Sequence, residues 1–328
     1  MSKWKSLLKS DTTRWLLEKD NPSVRWRCLQ DLLKMTVDHP DVVEARAAIQ
    51  KNAFVKELLR HEADGRWPTY KRGLWAETGP IYSLLLLGEL GAIRNDAITR
   101  TLDYLHRYYQ RDSGLMTYRP AESTRSYDKQ PTFAWCITAV VLRAALLLDC
   151  EDHPLVAQAL AFLEEYHQEK GGWYCSVYSA DPKKVRPPNC YMGTIKALSA
   201  LSLIPPRRRS KRQRAIIKRE VETCLENRVY LYRVDKKGQP KARPAWTKFS
   251  FPRYWRSDAL EATDILTSLG IREPRLNDSL HLIKSKRQPD GRWLLDFSET
   301  KRALIQLEEE KQPSKWVTLR ALRTLSRV

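Results

Sequence analysis

Three carboxylates at a spacing of three residues form the most chemically suggestive pattern in the sequence. Asp258, Glu261 and Asp264 fall in one predicted helix, where successive members lie on neighbouring faces. If these groups are buried, coupled titration raises the pKa of one carboxyl and makes it a candidate catalytic acid. The alternative is structural, with Asp258 capping its helix and the other two carboxylates binding arginines. The sequence leaves both interpretations open.

Glu77 is a further candidate for acid chemistry, because it directly precedes a predicted apolar helix at residues 78–90. The functional interpretation places this carboxylate at the mouth of a ligand cavity. A carboxylate at a helix start also interacts favourably with the helix dipole, which is the structural alternative.

Three cysteines suggest a metal site. Cys136 and Cys190 lie near the starts of two predicted helices, and Cys175 lies in the connection before the second of them. With a fourth ligand, thiolates in these places could hold Zn²⁺ tetrahedrally. Cysteine is also among the most buried residue types, so core packing is the alternative. The six cysteines of the chain are scattered rather than arranged as a secreted disulfide framework, and we expect reduced thiols.

Aromatic and cationic residues near the same helix starts are candidate ligand contacts. The aromatic candidates are Trp75, Trp135, Tyr191, Tyr254, Trp255 and Trp316. Their faces can line an apolar cavity and stabilise cations. The cationic candidates, Lys248, Arg253 and Arg256, lie in or just after a long connection, where charge-assisted hydrogen bonds could hold a diphosphate.

The chain is strongly basic. It has 58 Lys and Arg against 39 Asp and Glu, a net charge of +19. The excess is concentrated in residues 205–256 and favours contact with polyanions, anionic lipid or phosphorylated molecules. The densest cluster, at residues 207–214, is predicted on an outer face. It either faces solvent there or contacts nucleic acid or an anionic membrane.

Hydrophobic periodicity predicts helices in pairs. The first helix of each pair is amphipathic, at residues 40–61, 95–110, 153–168, 210–227 and 274–287. The second is apolar nearly all round, at residues 78–90, 131–149, 190–204, 255–269 and 314–326. A leading pair at residues 12–19 and 22–35 completes six. The amphipathic set is expected outside and the apolar set inside.

Six such hairpins predict an all-α fold, an α/α toroid or (α/α)6 barrel that forms a single domain over residues 1–328. An open superhelical solenoid is the competing architecture. The connections from outer to inner helices are long, as at residues 64–78 and 229–254, whereas the return connections are short, as at residues 90–94. The long connections therefore gather at one mouth, where function is expected.

Four short segments with a glycine beside an aromatic or apolar residue recur along the chain. They are Asp64-Gly65-Arg66-Trp67, Ser113-Gly114-Leu115, Gly171-Gly172-Trp173-Tyr174 and Asp290-Gly291-Arg292-Trp293. Repetition of this kind is typical of helical repeat proteins. We expect the tryptophans at positions 67, 173 and 293 to pack over adjacent helix ends.

The segment Gln288-Pro289-Asp290-Gly291-Arg292-Trp293 resembles the Gln-rich, Gly-x-Trp repeat of squalene and terpenoid cyclases and, more loosely, of protein prenyltransferase β subunits. With residues 21–25, 251–258 and 315–322, most of the chain is similar to bacterial and archaeal prenyltransferase/squalene-cyclase-like proteins. The resemblance implies an α/α toroid. As activities it implies acid-initiated cyclisation or prenyl transfer.

The catalytic motifs of these relatives do not occur in the sequence. Class II terpene cyclases protonate an alkene with an Asp-x-Asp-Asp stretch, which this chain lacks. Protein prenyltransferases bind Zn²⁺ through Asp, Cys and a His near the start of an inner helix, and no histidine lies at such a place. The sequence therefore names no cofactor; Zn²⁺ and Mg²⁺ are the candidates.

Two functions follow from these features. The first is a toroid that binds an elongated hydrophobic ligand, such as an isoprenoid or a prenyl diphosphate, in a central cavity. The alternative is a non-catalytic basic scaffold that binds nucleic acid, an anionic membrane or an acidic protein through residues 205–256. The first five residues carry no signal-peptide pattern, so a cytoplasmic location is expected.

Overall fold

The computed structural model describes residues 12–68, 70–110, 114–115, 135–173, 190–254 and 256–328. These residues are mainly helical, which confirms the prediction of an all-α fold. Their α-helices are α1 (Thr12–Leu16), α2 (Pro22–Arg27), α3 (Pro40–Ile49), α4 (Ala53–Arg60), α5 (Pro80–Leu90), α6 (Asp96–His106), α7 (Trp135–Leu147), α8 (Pro154–Glu165), α9 (Tyr191–Leu201), α10 (Lys211–Glu226), α11 (Ala259–Ser268), α12 (Asn277–Ser285) and α13 (Lys315–Leu325). Each helix in these ranges is too short or too polar to cross a bilayer.

Two small antiparallel hairpins interrupt the helical pattern. The first pairs β1 (Tyr109–Gln110) with β2 (Gly114–Leu115), and the second pairs β3 (Arg233–Val234) with β4 (Pro240–Lys241). Both lie within long connections between helices. The sequence periodicity did not predict them, because two-residue strands are too short to show an alternating pattern.

The chain divides into two compact units. The terminal unit contains Met1–Val55, Val221–Lys301 and Gln306–Val328, and the central unit contains Lys56–Glu220 and Arg302–Ile305. The closed ring of six hairpins and the single domain over the whole chain stay predictions. Each unit is described by itself below.

Three apolar helices pack side by side in the central unit, with α7 between α5 and α9. Every residue of α5 is buried. The amphipathic helices α6 and α8 pack against these apolar helices and bury one face each. This arrangement follows from the sequence, since a helix that is apolar all round needs neighbours on every side.

A close approach fixes the start of α7. A Cβ atom on Gly193 of α9 would lie only 2.0 Å from the ring of Trp135, so glycine is required for this contact. Trp135 also stacks on Trp173, with ring centroids 4.5 Å apart. The first residue of α7 is therefore held by tight packing on two sides.

The terminal unit is built around α13. This helix packs against α11 and also contacts α1 and α2, while α3 packs on α2 and α12 packs on α11. Nearly all residues of α11 and α13 are buried, charged ones included. Buried charges need partners, and the contacts of these charges define the candidate site.

The observed helices follow the predicted ones closely, with one clear difference. Residues 40–61 were expected to form a single helix, but α3 ends at Ile49 and α4 begins at Ala53. The side chain of Asn52 accepts the backbone N–H of Phe54 at 2.8 Å and so starts the second helix. Asparagine is a preferred residue at helix N-termini, and its local effect outweighed the continuous apolar periodicity.

Candidate functional site

The glycine turns at residues 63–66, 168–172 and 288–292 are closed by the same kind of backbone hydrogen bond. In each turn the first amide donates to the last carbonyl, at 3.0, 2.9 and 2.8 Å respectively. Gly65 has φ 80° and Gly291 has φ 85°, backbone angles that residues other than glycine rarely adopt. Three of the four repeated segments therefore form the same kind of turn, whereas Gly114 and Leu115 of the other segment form β2.

Each of these turns is followed by a buried tryptophan whose indole N–H has an acceptor. We call Trp67, Trp173 and Trp293 the turn tryptophans. Their N–H groups donate to Thr101 Oγ1, the Leu163 carbonyl and the Ile283 carbonyl, at 3.0, 3.0 and 2.7 Å. The last two carbonyls lie in the final turns of α8 and α12. The prediction that these tryptophans pack over helix ends is confirmed for Trp173 and Trp293, whereas Thr101, the partner of Trp67, lies in the middle of α6.

Three other tryptophans, which the sequence predicted as ligand contacts, lack an acceptor for the indole N–H among the described residues. We call Trp75, Trp135 and Trp316 the helix-start tryptophans, because they lie just before α5, at the first residue of α7 and at the second residue of α13. Their indole nitrogens are buried, yet none has a hydrogen-bond partner among the residues that the structure describes. A buried donor without an acceptor costs about 1–3 kcal/mol. These indoles therefore do not contribute to stability through hydrogen bonds.

An aromatic and cationic cluster surrounds Trp316 in the terminal unit. Phe251 stacks on Trp316, with ring centroids 4.0 Å apart and an angle of 6° between the rings. One helical turn after Trp316, the guanidinium of Arg320 lies 4.9 Å from the centre of the Phe251 ring. A guanidinium at this distance is attracted to the aromatic face. The three side chains form one contiguous buried cluster.

Arg320 is the least satisfied charged group of this cluster. Arg320 is only 5% exposed, and its Nε and Nη1 atoms are buried without a hydrogen-bond partner in the described part of the chain. Its nearest ion pair is long, with 3.9 Å between Nε and Asp264 Oδ2. The hydroxyls of Ser250 and Ser257, on either side of Phe251 in sequence, are also buried without partners. The region thus offers several unused polar atoms next to aromatic rings.

Asp264 binds arginines and is held ionised. Burial by itself would raise the pKa of Asp264, but nearby arginines outweigh it and hold the pKa below its usual range. These arginines are Arg323, Arg327 and Arg320. Arg323 Nε lies 3.0 Å from Oδ1, and Arg327 Nη1 lies 2.8 Å from the same oxygen. The raised pKa that coupled carboxylates would produce is therefore not found at Asp264.

Asp258 caps α11, as its structural interpretation predicted. Its Oδ1 accepts the backbone N–H of Glu261 at 2.7 Å, and its Oδ2 accepts the amide of Ser250 at 3.1 Å and Arg253 Nε at 2.7 Å. A carboxyl that protonates a ligand must carry a proton, whereas both oxygens here accept hydrogen bonds. The contacts describe a capping and ion-pair role, and catalysis by Asp258 stays a prediction.

Arg253 is committed to its own chain. It is buried, and besides Asp258 it binds Glu299 Oε1 at 2.9 Å and the Lys248 carbonyl at 2.8 Å. Glu299 also accepts the amide of Tyr254 at 3.0 Å. The guanidinium therefore joins the segment before α11 to the loop around Glu299. A diphosphate contact by Arg253 stays a prediction, and most of its donors already have acceptors.

The remaining predicted site residues differ in exposure. Tyr191, Tyr254 and Glu261 are buried, Glu77 is half-buried, and Lys248 and Arg256 are exposed. Trp255 and Cys175 lie outside the described residues. The structure places Tyr254 and Glu261 in the same unit as Trp316, whereas Glu77 and Tyr191 belong to the central unit.

The predicted zinc ligands are only partly described. Cys136 and Cys190 are each half-buried. Within the described part of the chain, no three side chains of the His, Cys, Asp and Glu types form a group that could hold a metal ion. Because Cys175 lies outside that part, the zinc site stays a prediction.

Sequence reasoning missed Phe251 and Arg320. Arginine four residues after Trp316, in a helix otherwise rich in apolar residues, was the available signal. In a helix these two positions share one face. A buried guanidinium beside a candidate ligand contact could have been proposed on that spacing, but its lack of a hydrogen-bond partner depends on the tertiary structure.

The chain is similar to solved structures but matches no family model. No protein-family model matches the chain, and no curated protein matches it. A solved structure of a protein from Actinoplanes matches 94% of this chain and 89% of its own, at 15% identity and a TM-score of 0.44. The type II terpene cyclase MstE from Scytonema matches 94% of this chain and 86% of its own, at 13% identity and a TM-score of 0.46. At these values neither similarity transfers an activity, a ligand or a site residue.

Proposed function

We propose that this protein binds an elongated hydrophobic ligand with an anionic end, such as a prenyl diphosphate. The observation that carries the proposal is the pair of buried, unpartnered donors on Arg320 and Trp316 beside the stacked Phe251 ring. The two aromatic rings supply apolar faces against which a hydrocarbon chain would pack. An anionic group supplies the acceptors that the guanidinium and the indole lack, through charge-assisted hydrogen bonds.

The local charge supports an anionic rather than a neutral end. Three guanidinium groups on α13 and just after it, those of Arg320, Arg323 and Arg327, share two carboxylates, Asp264 and Asp31. Arg323 and Arg327 take the short contacts, and Arg320 is left with the long one. An anion next to Arg320 would balance the remaining positive charge in a site where water screens little.

The proposal concerns binding and assigns no proton-transfer step. Asp258 accepts hydrogen bonds on both oxygens, and Asp264 is surrounded by arginines. Cyclisation or prenyl transfer stays a prediction drawn from the family resemblance.

Calorimetric titration with farnesyl diphosphate and with farnesol tests the proposal. We expect Arg320→Gln to weaken farnesyl diphosphate binding by about tenfold to a hundredfold, because a charge-assisted hydrogen bond contributes roughly 1.5–3 kcal/mol. Binding of farnesol, which has no charge, should change little. Arg320→Lys serves as a second variant that keeps the charge, and it should retain part of the affinity for the diphosphate.

Circular dichroism of each variant checks that it is folded. Equal affinity of the wild type and Arg320→Gln for the diphosphate would contradict the proposal, as would a wild-type protein that binds neither compound.

A further inference from the structure

The two basic clusters within residues 205–256 use their side chains differently. Around the start of α10, arginines bind backbone carbonyls. Arg209 donates to the Ile204 carbonyl at 2.9 Å, and Arg212 donates to the carbonyls of Glu164 and His167, both at 3.1 Å. These side chains satisfy carbonyls at helix ends within the central unit, where such groups lack intrahelical partners. Although this cluster is denser in sequence, much of it has a structural role.

The second cluster is centred on the β3–β4 hairpin of the terminal unit. We call residues 232–243 the basic hairpin. Its exposed cations are Arg233, Lys236, Lys237, Lys241 and Arg243. None of them forms an ion pair with a residue that the structure describes. Their charges are therefore available to a partner.

The one acidic residue of the basic hairpin does not neutralise these cations. Asp235 Oδ1 accepts the backbone N–H groups of Lys237 at 2.8 Å and Gln239 at 2.9 Å. Gly238, at φ 75°, supplies the left-handed conformation that this turn needs. The carboxylate shapes the turn, and the turn projects the lysines into solvent.

The pairing of the strands brings two cations together. Arg233 lies directly opposite Lys241 in the β3–β4 register. Cβ atoms of directly opposed residues are about 4.5–5.5 Å apart, and like charges in this position destabilise the pair. A phosphate bridging the two side chains would remove that repulsion. This feature favours a polyanion over solvent as the partner of the hairpin.

The basic hairpin is anchored to the core of its unit. The rings of Tyr232 and Trp246 meet edge to face, with centroids 5.3 Å apart, and Trp246 is buried. The Asp235 amide donates to the Gln239 carbonyl at 2.9 Å and closes the turn. These contacts hold the backbone of the hairpin and its tyrosine in place.

We propose that the basic hairpin binds the phosphate backbone of a nucleic acid. Amphipathic segments that insert into membranes combine cations with aromatic or large apolar residues that enter the lipid. Here Val234 is the exposed large apolar residue, at 69% exposure, and the turn at residues 236–239 has no apolar side chain. Phosphate contacts need only the cations, and they bind without regard to sequence. This inference is independent of the ligand site at Arg320.

Fluorescence anisotropy with a short labelled DNA duplex, measured over a series of salt concentrations, tests the proposal. The wild type should bind, and its affinity should fall with salt, because phosphate contacts release counterions. Lys236→Gln/Lys237→Gln should lower the slope of log affinity against log salt by about 2, since each lost phosphate contact contributes roughly 0.9. Arg207→Gln/Arg208→Gln is the matched control, an exposed basic pair outside the hairpin, and should change the slope little.

Several results would overturn the proposal. It would be contradicted if the wild type did not bind DNA, if the hairpin variant bound with an unchanged salt slope, or if the control variant weakened binding equally.

Vesicles that contain phosphatidylserine test whether the partner is a membrane instead. If the wild type binds them more tightly than DNA and the hairpin variant loses that binding, the partner is a membrane. Farnesyl diphosphate binding by the hairpin variant should equal that of the wild type, which separates this test from the previous one.

Discussion

Trp293 and Trp316 lie in the same unit and are almost equally buried, at 0% and 3% exposure, yet only Trp293 has an acceptor for its indole N–H. The same contrast holds between the turn tryptophans and the helix-start tryptophans as groups. The turn tryptophans repeat with the glycine turns, and their hydrogen bonds join each turn to a helix. The helix-start tryptophans lie at or near the first residues of α5, α7 and α13, and their indole N–H groups have no acceptor among the described residues.

This difference separates residues that stabilise the fold from residues that are candidates for function. Native proteins satisfy nearly all buried polar groups, so an exception needs a physical explanation. Within the described part of the chain, such exceptions include the guanidinium of Arg320 beside Phe251 and Trp316, and the hydroxyls of Ser250 and Ser257 in the segment around Phe251. Local departures from the rules of stable packing are expected at functional sites. We therefore infer that removing polar groups should destabilise the turns more than the helix starts.

The largest predicted effect concerns Glu308, next to the start of α13. Its carboxylate accepts the hydroxyl of Ser314 and the amide of Lys315, but burial outweighs these hydrogen bonds and raises the pKa of Glu308 to about 7. In the unfolded chain this carboxyl has its ordinary value near 4.5. Between these pH values the folded protein keeps a proton that the unfolded chain has lost. Stability should therefore fall as pH rises through this window.

Glu308→Gln should remove that loss. The unfolding free energy of the variant minus that of the wild type should increase by about 3 kcal/mol from acidic pH to a pH above the folded pKa. Each pKa unit corresponds to roughly 1.4 kcal/mol. Urea unfolding across this pH range measures the difference. Glu309→Gln is the control, since this neighbour is exposed. If the difference in unfolding free energy between Glu308→Gln and the wild type does not grow with pH, ionising the carboxyl of Glu308 does not destabilise the folded protein.

A smaller effect compares the two tryptophans directly. Trp293→Phe and Trp316→Phe remove the same atoms, but only the first leaves a buried carbonyl, that of Ile283, without its donor. We expect Trp293→Phe to be more destabilising by about 1–3 kcal/mol, the cost of an unsatisfied buried group. Urea unfolding of the two variants side by side checks this. Equal losses would remove the energetic distinction between the two groups.

The helices and turns could be predicted from the sequence because their signals are local. Apolar residues all round α5 and α7, and on one face of α6 and α8, identified buried and outer helices. Glycine before tryptophan identified the turns, whose left-handed φ values require glycine. The break between α3 and α4 was missed, because one capping side chain there overrides a long periodic pattern.

The candidate site could be predicted only in part. The positions of Trp135 and Trp316 at helix starts followed from the pattern, and so did the capping alternative for Asp258. The lack of hydrogen-bond partners on Arg320 could not be predicted, because it depends on how Asp264 is shared among three arginines from a distant segment. Likewise, composition located the basic region at residues 205–256, but only tertiary contacts show that arginines near α10 bind carbonyls, whereas the hairpin cations form no ion pair with a described residue.

The indole signals in a proton–nitrogen correlation spectrum test the central distinction most directly. Assignments come from the Trp293→Phe and Trp316→Phe variants, each of which lacks one signal. On titration with farnesyl diphosphate, the account predicts that the Trp316 indole signal shifts with the ligand concentration while that of Trp293 stays in place, because only the Trp316 donor is unused in the free protein. A Trp316 signal that does not move at saturating ligand, or a shift confined to Trp293, would contradict it.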